Sequence, residues 1–293
     1  MDQRIIDLYD RFTHGQIDRR DFMEKLATLA GSVAAASALL PLLANDYASA
    51  AVVEENDARI DVSRASYPSG AGEVDGYLVR AKRVDAKRPA VLVIHENRGL
   101  NPHIKDVTRR LALEGFLAYG VDLLSPDGGT PEDEDKARDM IGALDRQATV
   151  ARAADAVAFL AKHPLSTGSV GAIGFCWGGG MVNLLAEDTP ELKAGVAYYG
   201  MQPPLENVDR IKAALLLHYA GLDTRINEGI AAYETALKQA GKNYQVYVYD
   251  GANHAFNNDT SPSRYDPKAA ELAWSRTSAF LAEHLGAPPP VET

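Results

Sequence analysis

Gly174-Phe175-Cys176-Trp177-Gly178-Gly179 decides how this 293-residue chain is read, because it sets the only cysteine between glycines two residues to either side. Residues 169–173, Ser-Val-Gly-Ala-Ile, predict a short buried strand before it, and residues 180–187 predict a helix after it. A strand that turns sharply into a helix strains the residue at the corner, and a β-carbon two positions away would clash with the turn. Gly174 and Gly178 lack that carbon. Such a corner lifts its side chain above the sheet at a helix N-terminus, where partial positive charge favours thiolate over thiol. Lone cysteines are mostly structural core residues. The glycines and the strand-to-helix pattern make Cys176 a candidate nucleophile instead.

Around this corner the composition is that of an ordinary globular enzyme, with 46% hydrophobic and 24% charged residues. A net charge of -10 argues against nucleic acid or an anionic membrane surface as a partner. One cysteine excludes an internal disulfide, a zinc ribbon and an iron–sulfur cluster.

Residues 51–286 read as one domain without repeats. Residues 59–65 and 76–80 suggest an opening antiparallel pair about a Pro-Ser-Gly-rich turn. Apolar strands at 89–95, 116–121, 169–173, 193–199, 213–219 and 244–249 then alternate with helical stretches at 101–114, 132–162, 180–187, 228–240 and 267–284. The expected fold class is α/β: a mostly parallel sheet with helices on both faces and its ligand crevice at the strands' C-terminal ends. Residues 287–293 read as a loose tail.

The candidate chemistry lies at those ends. Cys176 is followed by Asp223, just past one strand, and by His254, just past the last. That is the nucleophile, acid, base order of the α/β-hydrolase fold. An imidazole is needed because a thiol is mostly protonated at neutral pH and the leaving group later needs a proton. In His95-Glu96-Asn97-Arg98-Gly99, after the 89–95 strand, the Asn97 N–H is placed to join that of Trp177 in an oxyanion hole. Glu96 has two readings, a hydrogen bond to the resting thiol or a turn cap. A zincin helix needs a histidine where this chain has Gly99, so no metal and no cofactor is expected.

Gly-x-Cys-x-Gly-Gly at 174–179, His-Glu-x-x-Gly at 95–99, Gly-x-Asp at 221–223 and His-x-Phe at 254–256 together resemble the dienelactone hydrolase family over roughly residues 55–285. The resemblance implies an α/β-hydrolase fold and a triad of Cys176, Asp223 and His254. It also implies a thiol-tuning role for Glu96. Tyr198-Tyr199-Gly200 is similar to that family's strand end near the pocket. Two carboxylate-holding arginines of the better-known members are replaced here by Asn258 and by Leu124-Ser125-Pro126. Tyr199, Arg98 and Asn258 are the candidate substrate-binding residues, with Arg225 and Arg264 as further sources of positive charge. The expected function is hydrolysis of a small ester or lactone through an acyl-enzyme. The alternative is a catalytically weak relative that binds a small molecule or a partner. The sequence does not specify an oligomeric state.

Residues 1–50 stand apart. Asp18-Arg19-Arg20-Asp21-Phe22-Met23 resembles a twin-arginine export motif, followed by an uncharged stretch at 26–44 and the small-x-small pattern Ala48-Ser49-Ala50. Against this, residues 1–20 are as acidic as they are basic. Ile5, Ile6, Leu8, Tyr9 and Phe12 also recur at helical spacing, as in an amphipathic arm packed on a body or a partner subunit. Export to the periplasm is slightly favoured over a retained cytoplasmic arm, and a stable membrane span is not expected.

Overall fold

The computed structural model describes residues 1–47, 51–70, 72–82, 86–288 and 291. Its centre is an eight-stranded sheet in the order β1-β2-β4-β3-β5-β6-β7-β8. The strands are β1 (Ile60–Ser69), β2 (Gly72–Ala81), β3 (Arg88–Ile94), β4 (Leu117–Val121), β5 (Ser166–Phe175), β6 (Ala194–Tyr198), β7 (Ala214–Ala220) and β8 (Tyr244–Tyr249). β1 pairs antiparallel with β2, and β2 with β4. The remaining pairs are parallel.

A parallel sheet is covered on both faces, so its strands are apolar throughout rather than alternating. In β3, Val91 and Val93 join one core with Ile104, Val107 and Leu111 of α4 (Pro102–Leu113) and Phe280 and Leu281 of α10 (Pro267–Leu285). Leu92 and Ile94 join the other core, with Val157 and Leu160 of α6 (Arg146–Lys162), Val182 and Leu185 of α7 (Trp177–Asp188) and Leu237 of α9 (Ile230–Gln239).

Two helical boundaries differ from the sequence expectation. The 132–162 stretch divides into α5 (Glu134–Gly142) and α6, because the Asp145 carboxylate accepts from the Ala148 amide and starts a new helix. The helix after the elbow begins at Trp177, directly at the corner. A one-turn helix, α8 (Thr224–Asn227), follows β7.

The N-terminal segment is helical, with α1 (Gln3–Thr13), α2 (Arg19–Ala30) and α3 (Val33–Leu43) around a small core of their own. Ile5, Ile6, Leu8, Tyr9 and Phe12 form the buried stripe of α1, and Phe12 stacks on Phe22 of α2 at 4.7 Å. Asp18 caps α2 through the Asp21 amide, and Gly31, at φ 84°, ends it. The arm is docked on the hydrolase body. Arg19 pairs with Asp135 at 2.8 Å, the Arg138 guanidinium lies over the Phe12 ring, and Asn45 Nδ2 donates to Glu134 at 2.9 Å. Arg20 pairs within α2, with Glu24.

Among the described residues no single helix is long and apolar enough to cross a membrane; α2 and α3 together are, but they are bent by 109°. The Ala48-Ser49-Ala50 pattern lies outside the described residues, as does most of the tail expected at 287–293.

Candidate active site

Cys176 sits at φ 54° and ψ -115°, a backbone conformation that costs on the order of 1–3 kcal/mol for a residue with a side chain. The neighbouring glycines make the turn possible. A β-carbon on Gly174 would lie 2.1 Å from the Gly178 carbonyl oxygen, and one on Gly178 would lie 2.4 Å from the carbonyl oxygens of both Ile94 and His95. The other two non-glycine residues with positive φ among the described residues are Tyr199 (39°) and Ala255 (65°). Cys176 and Tyr199, at the C-terminal ends of β5 and β6, line one cavity, and Ala255, in the loop after β8, borders an adjoining recess that Cys176 shares.

His254 and Asp223 reach this crevice from the loops after β8 and β7. His254 Nδ1 donates to Asp223 Oδ2 at 2.5 Å, and the other carboxylate oxygen accepts from the Ile226 amide at the start of α8. Both side chains are buried. Burial works against charge on His254, but the carboxylates of Asp223 and Asp10 and the Cys176 sulfur outweigh it and hold the imidazole well above its ordinary value. A His254 ring nitrogen lies within 4.8 Å of Cys176 Sγ, and Nε2 has no hydrogen-bond partner among the described residues.

The thiol has a partner that the sequence reading did not identify. His14, at the C-terminal end of α1, brings Nε2 to 3.2 Å from Cys176 Sγ. Its Nδ1 lies 2.7 Å from the Asp10 carbonyl and 3.3 Å from the Asp10 carboxylate. The rings of His14 and His254 meet edge to face at 4.7 Å. Burial raises the thiol, yet the two imidazoles more than reverse this and bring it from 9.0 down to about 6. Burial likewise opposes charge on His14, and Cys176 and Asp10 together raise it to about 9. The available sequence signal was slight: a histidine one residue past an amphipathic helix, before a glycine.

Trp177 opens α7, so its N–H is one of the amides a helix leaves without an internal partner. Its ring stacks on His95 at 5.3 Å. Asn97 carries the second predicted oxyanion amide, and its side chain donates to the Thr13 carbonyl at 2.7 Å, tying that loop to the arm. Glu96 shares a recess with Cys176, and its Oε2 accepts from Asn258 Nδ2 at 2.8 Å. The thiol's own hydrogen bond goes to His14.

A cavity of about 620 Å³ opens over the thiol, bordered by His14, Trp177, Tyr199, Arg225 and His254. Tyr199 lines it with a buried hydroxyl that has no partner among the described residues. Asn258 is fully buried and also accepts from Thr260, so it stands behind the site. Arg98 faces Glu134 at 3.5 Å, and Arg264 donates to Ser261 and lies 3.8 Å from Asp10. Arg225 borders the cavity, and its Nε and Nη2 atoms make no hydrogen bond among the described residues. His14, Cys176 and His254 also place their donor atoms within 4.8 Å of one another, a nitrogen and sulfur set that a soft divalent ion accepts.

The dienelactone hydrolase family profile matches residues 74–285, and a YqhI-like profile matches residues 1–32. An inferred carboxymethylenebutenolidase of Escherichia coli O157:H7 is 34% identical over 251 residues, covering 80% of this chain and 92% of its own. A Bradyrhizobium protein, assigned by name as a 2-oxo-3-(5-oxofuran-2-ylidene)propanoate lactonase, is 32% identical, covering 71% of this chain and 89% of its own. The crystal structure of a dienelactone hydrolase-like promiscuous phosphotriesterase from metagenomic libraries superposes with a TM-score of 0.71 at 27% identity, covering 78% of this chain and all of that one. The chain belongs to the dienelactone hydrolase family of α/β-hydrolases and is an ester or lactone hydrolase.

Proposed function

We propose that the chain hydrolyses small esters or lactones through a thioester acyl-enzyme on Cys176. The observation that carries this reading is the meeting of three loop residues at one sheet edge: a strained elbow cysteine, a histidine within 4.8 Å of it, and a carboxylate 2.5 Å behind that histidine. Thiolate attack on the substrate carbonyl gives a tetrahedral oxyanion, for which the amides of Trp177 and Asn97 are the donors. Collapse expels the alkoxide, which takes a proton from an imidazolium. Water deprotonated by His254, held by Asp223, then attacks the thioester and releases the acid and the thiolate. Glu96, with its Oε1 buried and unpartnered, opposes the thiolate and tempers its reactivity in the resting state.

The substrate class follows from the cavity. Its walls set Ile141, Trp177, Met201 and Ile226 beside the two imidazoles, two arginines and Asp139, which suits a compact acyl or lactone group. Arg225 borders the cavity 4.0 Å from Asp10 with its Nε and Nη2 free of hydrogen bonds among the described residues, so an ester or lactone bearing a carboxylate is the substrate it would hold. None of these steps calls on a metal.

Steady turnover of an aryl ester with a thioester adduct visible by intact-mass spectrometry is the expected result, abolished in Cys176→Ala and insensitive to chelators. Undiminished turnover by Cys176→Ala would remove the nucleophile from the mechanism. Loss of activity with a chelator, restored by zinc, would replace it with a metal-assisted one.

A further inference from the structure

The docked arm changes the division of labour at the thiol. The side chain of His14 is aimed by structure on both sides of it. The α1 stripe of Ile5, Leu8, Tyr9 and Phe12 fixes the helix, and the Thr13 carbonyl is held by Asn97 Nδ2. At the far end of α1, Gln3 Nε2 donates to Asn253 Oδ1 at 2.6 Å, next to His254 in the chain. Gly15, at φ 70°, turns the chain away directly after the histidine.

The hydrogen bonds decide the tautomer. A backbone carbonyl only accepts, so the His14 nitrogen 2.7 Å from the Asp10 carbonyl is the one that carries hydrogen. In the neutral ring the other nitrogen, Nε2, is then a lone pair 3.2 Å from Cys176 Sγ, placed to receive the thiol proton. His254 is held the same way by Asp223, but its Nε2 has no partner and makes no hydrogen bond to the sulfur among the described residues. The closer hydrogen bond to the thiol is thus that of His14, while His254 lies within 4.8 Å of the sulfur with its Nε2 buried.

We propose that His14 of the N-terminal arm is a catalytic residue of the acylation half-reaction, and that His254 serves the deacylation half-reaction. This rests on Cys176 being the nucleophile. In acylation the thiol proton passes to His14 Nε2, the sulfur bonds to the acyl carbon, the C–O bond breaks, and His14 returns the proton to the leaving oxygen. In deacylation His254, which releases its resting proton once acylation has removed the thiolate charge that helped to hold it, takes a proton from water, the hydroxide adds to the thioester, and the C–S bond breaks. The proton held by His254 goes to the departing thiolate and from there to His14, restoring the resting pair.

The groups that face His14 are Cys176 at the elbow, His254 after β8 and Asp10 on its own helix. Arg225 of α8 and Arg264 lie 4.0 and 3.8 Å from Asp10, and Tyr199 and Arg138 border the same cavity. The rise of His14 to about 9 and the fall of the thiol to about 6 agree with a resting imidazolium–thiolate pair.

Pre-steady-state kinetics with an aryl ester separate the two halves in the full-length protein. His14→Ala and His14→Gln are expected to slow the acylation burst by about 10²–10⁴-fold and to move the pH midpoint of Cys176 alkylation by iodoacetamide upward, with hydrolysis of preformed acyl-enzyme unchanged. Gln keeps a hydrogen-bond donor and similar bulk but takes up no proton. An unchanged melting temperature and unchanged proteolysis of the arm in that variant therefore separate chemistry from docking. His254→Ala is expected to do the reverse, acylating and then accumulating the thioester. Wild-type acylation and alkylation profiles in both His14 variants would overturn the proposal, as would loss of the burst in His254→Ala with the burst intact in His14→Gln. The reading of Cys176 itself fails only if Cys176→Ala retains turnover.

Discussion

Gly174→Ala tests whether the elbow is as tightly fitted as its geometry implies. The added methyl would lie 2.1 Å from the Gly178 oxygen and 2.4 Å from the Gly178 carbonyl carbon, while real Cβ contacts essentially never fall below 3.0 Å. Strand β5 cannot yield, because Gly174 is paired with Ile94 on one side and Ala197 on the other. The first turn of α7 must therefore withdraw, carrying Cys176 and the Trp177 amide with it. A displacement of about 1 Å at reacting groups costs on the order of 10²-fold in rate, or about 2.7 kcal/mol of barrier. The overpacking itself costs roughly 1–3 kcal/mol of stability. Gly180→Ala is the matched control: its β-carbon would meet Met201 no closer than 3.5 Å, and alanine there raises helix propensity by roughly 1 kcal/mol. The assay is kcat/KM on an aryl ester together with the melting temperature. The expected result is a loss of about 10²-fold for Gly174→Ala and near-wild-type behaviour for Gly180→Ala. Equal effects of the two substitutions would refute the argument that the elbow's fit sets the rate.

Two further outcomes follow from charge. The thiol is depressed to about 6, so iodoacetamide alkylation of Cys176 is expected to rise through that pH and be nearly flat by pH 7; a midpoint near 9 would show that the imidazoles do not stabilise the thiolate. The depressed thiol contributes stability that is lost as pH falls through about 6, and the elevated His14 contributes stability that is lost as pH rises through about 9. Because these contributions run in opposite directions over nearly the same range, arm docking, followed by hydrogen exchange of α1 amides, is expected to change little from pH 6 to pH 9 in the wild type and to weaken as pH falls through about 6 once His14 is replaced by Gln; a steep pH dependence in the wild type would contradict it. For Arg225→Ala, KM is expected to rise about 10-fold more for a carboxylated ester than for its neutral analogue, the worth of a charged hydrogen bond; equal changes would remove Arg225 from substrate recognition.

The parts of this molecule that were legible in the sequence are those fixed by near neighbours. The elbow could be read because Gly174 and Gly178 act on backbone within a few residues, and the parallel sheet because β3, β4, β6 and β7 are apolar on both faces. The division of 132–162 was missed because periodicity does not register a helix start capped by Asp145. The pairing of His14 with Cys176 spans 162 residues of sequence and depends on where the arm docks, which no local pattern encodes. The place of Asn258, four residues after His254, points to a substrate contact, while its amide turns inward to Glu96, a direction set by the fold and not by spacing.

The docked arm also places two uses of one segment in opposition. A receptor that reads Arg19-Arg20 in extended form needs the first turn of α2 unwound and Phe22 and Leu26 drawn out of a core in which both are almost fully buried. The ion pair with Asp135 adds little to that barrier, being exposed; the apolar contacts make it, at about 1.5–3 kcal/mol for each buried side chain. The same withdrawal takes His14 off Cys176. A chain held open at its arginines therefore has an incomplete set of groups around its thiol, and a chain with that set complete keeps both arginines exposed but locked in the first turn of a helix. An extended arm and an assembled site are thus mutually exclusive states of residues 1–47.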